Sequence, residues 1–364
     1  MLLSEIIKAI EEFAPLDWQE PYDNTGLHYG NVNTEIGKVL LTLDVTLEVI
    51  EEAKEKGCNL IISHHPVIFK PLKSLTGNSL TEKIIIGAVR HDIALYSAHT
   101  NLDNCGKGVN YTLAKLLGLK DIKILNPLIG NLRRLIVYAP LDSSEKILNA
   151  LYSAGAGQIG NYRECSFKSE GVGTFIPSES ANPAIGSANK REIVNEFKIE
   201  VLFPAYLQQK VVEAMYNSHP YEEVAYDLIH LNNQDLSTGS GAIGNLENEM
   251  NQEEFLAFLK QSLNLKAIKF TPFNAKIKRV AVCGGSGSFL VQKAIKQKAT
   301  AFVSSDFKYH EYFEAGKKLM IADIGHYESE VHTKELFYNI LTKKMPNIAI
   351  LFSTINTNPV KYYL

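Results

Sequence analysis

The sequence predicts an α/β protein: a split α/β domain interrupted by an inserted ferredoxin-like α+β domain. Three observations carry this. Short apolar runs alternate with amphipathic helical segments over residues 1–126. The same rhythm resumes from about Glu253. Between them, residues 127–236 read as strand–helix–strand twice over, the order of a ferredoxin-like unit. The split domain is therefore assigned to 1–126 plus 237–364 and the insert to 127–236.

In the first part, Ser4 is placed to cap a helix with the apolar face Ile6, Ile7, Ile10 and Phe13. Val39–Val45 reads as a buried strand. Thr46 caps a helix running through Lys56, and Gly57 ends it. Asn59–Ser63 is the next strand, a helix around Thr81–His91 leads to the strand Ile93–Ser97, and a helix follows near Val109–Leu117. In the insert, Leu132–Ala139, Val172–Pro177, Glu192–Phe203 and Glu223–Leu231 are expected as strands. Ser143–Ala154 and Tyr206–Asn217 are expected as helices. Gln234–Gly244 is polar and Gly-rich and reads as a return linker. The last part is expected to contain a helix at Phe255–Leu263, strands at Arg279–Cys283, Ala301–Ser305, Leu319–Ala322 and Ile348–Phe352, and helices at Leu290–Gln297 and Glu328–Lys343.

Composition narrows the function classes. Of 364 residues, 45% are apolar and 21% charged, ordinary globular values that exclude disorder or coiled coil as the main architecture. The formal net charge of -3 gives no overall pull toward nucleic acid or an anionic membrane. Cys58, Cys105, Cys165 and Cys283 are far apart and form no CxxC pair, which argues against a zinc ribbon or a redox dithiol and fits reduced thiols. No run approaches the ~18 apolar residues of a membrane span, and Glu5, Glu11 and Glu12 interrupt the N-terminal apolar residues. A cytoplasmic protein is expected.

The histidines cluster where chemistry is expected. Ile61-Ile62-Ser63-His64-His65-Pro66 sets two imidazoles just past an apolar strand, where sites form in open α/β sheets. Neutral imidazoles ligate zinc, iron, manganese or nickel. Adjacent side chains diverge, so the pair suits two metals better than one; a polar turn would use the same residues. Ser97-Ala98-His99-Thr100-Asn101-Leu102-Asp103-Asn104 follows the next strand. There Asp103 can hold or bridge metals and His99 can ligate or orient a ligand, although an Asx turn has the same composition. In Gly325-His326-Tyr327-Glu328-Ser329-Glu330, His326 and Glu330 are one helical turn apart and can grip one metal, as a solvated ion pair also would. Taken together, His64, His65, Asp103, His326 and Glu330 suffice for two metals sharing a carboxylate, about 3.5–4 Å apart, able to bind a hydroxide and polarise a substrate.

Asp23-Asn24-Thr25-Gly26-Leu27, Ser63-His64-His65-Pro66, His99-Thr100-Asn101-Leu102-Asp103 and Gly325-His326-Tyr327-Glu328-Ser329-Glu330 resemble the Nif-three-like family over nearly the whole chain. Many bacterial members bear the name GTP cyclohydrolase 1 type 2. The resemblance implies two divalent metal ions per subunit (zinc, iron or manganese) on His64, His65, Asp103, His326 and Glu330, and a toroidal homohexamer. The insert resembles the PII-like domain of longer members through Gly157–Gly160, Tyr162, Cys165–Phe167, Gly171-Val172-Gly173 and His219–Tyr226. His219, Glu222 and Glu223 look like a further metal site, but a structural or regulatory role is preferred because further ligands are lacking. The family usually has Thr-Gly-Asp or Thr-Gly-Glu where this chain reads Ser304-Ser305-Asp306, so Ser305 is expected to alter the backbone near the cavity.

These readings give a metal-dependent hydrolase of a nucleotide-like small molecule, with His99 and His310 as candidate proton carriers. The alternative is a non-catalytic metal-binding hexamer with a regulatory or partner-docking role. Gly284-Gly285-Ser286-Gly287-Ser288 follows a strand and precedes a helix. It lacks the Lys-Ser/Thr of a Walker loop, so a tight turn is expected there, with phosphate binding by its amides as the competing role.

Overall fold

A computed structural model describes residues 1–363. Its strands, in chain order, are β1 (Gly26–Tyr29), β2 (Lys38–Thr42), β3 (Leu60–Ser63), β4 (Ala94–Ser97), β5 (Lys120–Ile129), β6 (Leu132–Pro140), β7 (Ser166–Phe175) and β8 (Glu192–Pro204). They continue with β9 (Tyr226–Leu231), β10 (Gln234–Met250), β11 (Lys269–Phe270), β12 (Ile277–Ser286), β13 (Ala301–Ser305), β14 (Met320–Asp323) and β15 (Ala349–Phe352). The chain divides into one compact unit of Met1–Pro127 plus Ser237–Leu364 and a second of Leu128–Leu236.

The first unit holds two sheets. One has the order β1-β4-β3-β2-β15, with β15, β2, β3 and β4 parallel and β1 antiparallel at the edge. β3 and β4 are buried throughout, as runs such as Leu60-Ile61-Ile62 require when helices cover both faces. Crossover helices at Leu47–Lys56 and Leu80–Arg90 are set by their caps. Thr46 and Ser79 hydroxyls accept from Val49 N and Glu82 N, and Gly57 ends the first helix at φ +66°. The other sheet has the order β11-β14-β13-β12-β10-β5, with β12, β13 and β14 parallel. Val280, Val282, Val303 and Ala322 pack into one core, and Ala281, Phe302 and Ile321 into another, as alternation along a strand dictates.

The second unit is a four-stranded antiparallel sheet, β7-β8-β6-β9, with helices at Ser144–Ser153 and Gln208–Ser218. Numbered within the unit, its strands lie in the order 4-1-3-2, which is the ferredoxin-like arrangement. Leu135, Val137, Ile199, Val201 and Phe203 meet Ile147, Leu151, Val211 and Met215 in its core.

Several local expectations are corrected. Ser4 is not the cap: the first helix begins at Leu3, and Glu5 folds back onto the Leu2 amide. Gln234–Gly244 is not a linker but part of β10. Its polar residues suit a buried strand because Asn104 meets them, taking hydrogen bonds from Thr238 Oγ1 at 2.8 Å and Ser240 Oγ at 3.1 Å. Gly239 is needed there, since a Cβ would sit 2.3 Å from the Asn126 carbonyl. Glu328–Lys343 is two helices, His326–Glu330 and Thr333–Lys344, so the His326–Glu330 pair occupies a single separate turn.

Candidate metal centre

Parallel strands deliver their carboxyl ends to one edge. In register, Thr42, Ser63 and Ser97 end β2, β3 and β4 side by side. Asp44, His64 with His65, and the turn His99–Asp103 therefore emerge together. The amides of His64 and His65 both donate to Leu43 O, which fixes the bend after β3. From the other sheet, β14 leads through Gly325, at φ +92°, into the turn that carries His326 and Glu330.

The five side chains His64, His65, Asp103, His326 and Glu330 meet in one place. The Glu330 carboxylate divides them. Its Oε2 lies 2.9 Å from His65 Nε2 and 3.0 Å from His326 Nε2, while its Oε1 lies 3.7 Å from His64 Nε2. Asp103 Oδ1 is 3.5 Å from His64 Nε2. Three groupings offer ligand atoms within 4.8 Å of one another: His64 with Asp103 and Glu330; His65 with His326 and Glu330; and His64 with His65 and His99.

Each imidazole is held from behind. Nδ1 of His64 meets Ala98 O at 2.9 Å, that of His65 meets Asp44 Oδ1 at 2.6 Å, that of His326 meets Asp306 Oδ2 at 2.5 Å, and that of His99 meets Asp23 Oδ1 at 2.8 Å. An acceptor on Nδ1 keeps the proton there and leaves the Nε2 lone pair facing the cluster, the arrangement that orients metal-binding histidines. Asp44, Asp23 and Asp306 escaped the sequence reading as orienting groups. Asp44 sits at the end of an apolar run and Asp23 within a quoted motif, so strand-end acids were the available signal.

The donor set fits a cation. His64 Nε2 and Asp103 Oδ1 are buried and have no hydrogen-bond partner. Two acceptors facing each other without a donor between them are costly in a desolvated site, and a positive charge removes the cost. The electrostatics agree. Burial, reinforced by the Glu330 charge, pushes the Asp103 carboxyl well above the usual carboxylate range. Burial pushes the His64 pKa down. Burial also disfavours charge on His65 and His326, but hydrogen bonds to Asp44 and Glu330 hold His65 at about 10, and those to Glu330 and Asp306 hold His326 at about 9. Without a cation the site thus draws positive charge as protons. Burial likewise opposes ionisation of Asp23, yet its bonds to His99 and Thr100 lower it to about 2.

The other candidates fall elsewhere. His310 is exposed on the turn Tyr309–Ala315, its ring against Tyr309 and Phe313, and it belongs to none of the three groupings. Two amides of the Gly284–Ser288 segment are already spent inside the protein: Gly284 N donates to Asn110 Oδ1 and Gly285 N to Ser329 Oγ. Its glycines make room for the cluster instead, since a Cβ on Gly285, at φ +59°, would lie 2.4 Å from Glu330 Oε1. Ser305 remains in strand geometry as the last residue of β13, and its buried hydroxyl donates to Gly285 O at 2.6 Å. His219 spends both ring nitrogens on backbone, at Tyr138 O and Tyr221 N, and joins no candidate metal grouping among the described residues.

A cavity of about 490 Å³ opens beside His65 and His326. Tyr327, Tyr362, Pro359 and Val360 supply apolar wall, and Glu328, Asn358 and Lys269 supply polar groups. Lys269 Nζ lies 2.8 Å from Asp323 Oδ2.

Known proteins share this architecture. A Bacillus subtilis protein named GTP cyclohydrolase 1 type 2 homolog is 38% identical over 365 residues, covering 98% of each chain. A Staphylococcus aureus protein of the same name is 39% identical over 367 residues, covering 100% of each. The crystal structure of a Bacillus cereus protein related to NIF3 superposes with a TM-score of 0.87 at 38% identity, over 100% of this chain and 99% of that one. Residues 1–359 match the Duf34/NIF3 (NGG1p interacting factor 3) family, and the chain belongs to it.

Proposed function

We propose that the chain is a dinuclear metal-dependent hydrolase of a small, nucleotide-like molecule. The observation that carries this is the Glu330 carboxylate turning one oxygen toward His64 and the other toward His65 and His326. One divalent cation (zinc, iron or manganese) would be held by His64, Asp103 and Glu330, and a second by His65, His326 and Glu330, with Glu330 shared. Such a pair, when bound, supplies Lewis acidity and an ionised water near neutral pH.

The chain's own residues do the rest. Asp44 and Asp306 keep His65 and His326 in the tautomer that leaves Nε2 open. Asp23 fixes the proton on His99 Nδ1, so Nε2 of His99 is the atom that takes and returns a proton at the cluster. The cavity beside His65 and His326 is large enough for a nucleoside-sized substrate, with Tyr327 and Tyr362 as ring-shaped wall and Asn358 and Glu328 as hydrogen-bonding groups. The relatives' name supports GTP as the first substrate to try. Self-association into a hexamer in the cytoplasm belongs to the same reading. Among the described residues, no helix is long and apolar enough to cross a membrane.

The test is metal analysis combined with hydrolysis assays on GTP and other nucleotides, for the parent and His65→Ala. Loss of one of the two cations together with turnover in the variant supports the hydrolase. Metal in the parent with no turnover of any nucleotide favours a metal-binding assembly.

A further inference from the structure

The inserted domain contains a cavity of about 800 Å³ that the metal chemistry does not use. Its floor is the open face of the four-stranded sheet. By register, Tyr138, Lys198 and Ser169 lie in one row across β6, β8 and β7, and Glu196 lies beside Gly171 in the next. Ile176, Pro177, Ala181 and Ile185 on one side and Tyr221 and Ala225 on the other are among the residues that line its walls. Two motifs without a role in the metal centre, Gly171-Val172-Gly173 and His219–Tyr226, thus converge on one hollow.

Glycines inside a strand weaken it and mark a close approach of something else. Above Gly171 a Cβ would meet nothing within 4 Å, so the floor there is open space. At Gly173 a Cβ would lie 2.2 Å from Glu196 Oε2, so that glycine lets the carboxylate lie across the neighbouring strand.

The carboxylate is held in place. Tyr221 Oη donates to Glu196 Oε1 at 2.9 Å. Tyr221 N donates to His219 Nδ1 at 3.1 Å, and His219 Nε2 in turn donates to Tyr138 O at 2.9 Å. Glu196 Oε2 has no hydrogen-bond partner among the described residues. The rings of Phe175 and Tyr221 stand 6.2 Å apart beside it, and Tyr138 completes an aromatic wall. Glu170, Glu222 and Glu223 also line the cavity. Its single basic residue, Lys198, is occupied by Glu200 at 2.8 Å. A fixed carboxylate among aromatic faces, with no available cation, is the chemistry that binds an ammonium or guanidinium group.

We propose that this cavity binds a small organic cation, a primary amine or guanidine on an aromatic or aliphatic body, with Glu196 as the counter-charge. This stands independently of the metal centre. The test is ligand-observed NMR and calorimetric titration of the full chain near neutral pH with benzylamine and agmatine, using benzyl alcohol and benzoate as neutral and anionic controls. The cations are expected to bind at least about tenfold more tightly than either control, with Glu196→Gln removing that preference, the loss expected of one charge-assisted hydrogen bond. Gly171→Val, which fills the floor, is expected to abolish binding while circular dichroism and metal content stay unchanged. Equal binding of benzoate, a Glu196→Gln variant that still prefers the cations, or no binding of either cation to the parent would overturn the proposal.

Discussion

His64 Nε2 and Asp103 Oδ1 face each other at 3.5 Å, both buried and neither with a hydrogen-bond partner. Two lone pairs in a desolvated pocket repel, and a cation between them turns that repulsion into ligation. Asp103→Asn separates the two effects, because an amide can donate to His64 at any pH, whereas the carboxyl can do so only while it holds its proton. In metal-free protein at mildly alkaline pH the variant is expected to be more stable than the parent by about 1–3 kcal/mol, the cost of an unsatisfied buried polar group. In metal-loaded protein the order should invert. Chemical denaturation with and without a chelator measures both, and a destabilised metal-free variant would contradict the explanation.

His99 and His310 should behave differently. The Nδ1 atom of His99 is fixed by Asp23 and its ring stands 5.2 Å from that of His64, whereas His310 is exposed and belongs to none of the ligand groupings. With a substrate in hand, His99→Ala is expected to lower kcat by about 10²–10⁴-fold, the usual worth of a general acid–base group. His310→Ala should leave kcat unchanged. Turnover at saturating substrate, with metal content checked in parallel, decides this.

The C-terminal segment reaches the centre through a relay. Thr357 Oγ1 donates to Asp44 Oδ2 at 2.6 Å, and Asp44 Oδ1 holds His65 Nδ1. Thr357→Val is expected to weaken the affinity of the cation bound by His65 about tenfold, the lower end of what such supporting groups contribute, and Thr357→Ser to restore it. Competition titration against a chromophoric chelator reads this. Equal affinity in the valine variant would show that Asp44 needs no anchor.

Acid stability should report on Glu52. Burial opposes its ionisation, but Lys56, Ser353 and Thr354 bond to the carboxylate and lower its pKa from 4.5 to about 2. A carboxyl depressed on folding adds stability that is fully present above its unfolded pKa of 4.5 and is lost as pH falls toward 2. Glu52→Gln is therefore expected to flatten the fall in Tm between those limits while lowering Tm near neutrality. Calorimetric scans across that pH range provide the check.

The α/β rhythm was legible in runs such as Leu60-Ile61-Ile62 because a fully buried parallel strand has no polar face to confuse the pattern. The gathering of His64, His65, His99 and Asp103 followed from strand-end placement alone. What escaped was structure held by distant partners. Gln234–Gly244, the first part of β10, looked like a linker because its Thr238 and Ser240 are satisfied by Asn104, more than a hundred positions away in sequence. Asp44 was marked only by its place at the end of an apolar run and Asp306 by nothing local; their partnership with His65 and His326 exists only once the chain has folded. The glycines at 284–285 were expected to make a tight turn, with an anion cradle as the competing role; that they clear space for a carboxylate of the protein itself was visible only in the folded chain.

Metal stoichiometry by mass spectrometry of reconstituted protein reads directly whether Glu330 serves two cations. Two divalent cations per chain are expected in the parent, one in His326→Ala, and none retained tightly in Glu330→Gln, whose amide can no longer serve both sides. A parent chain that takes up no cation, or a Glu330→Gln variant that still holds two, would contradict it.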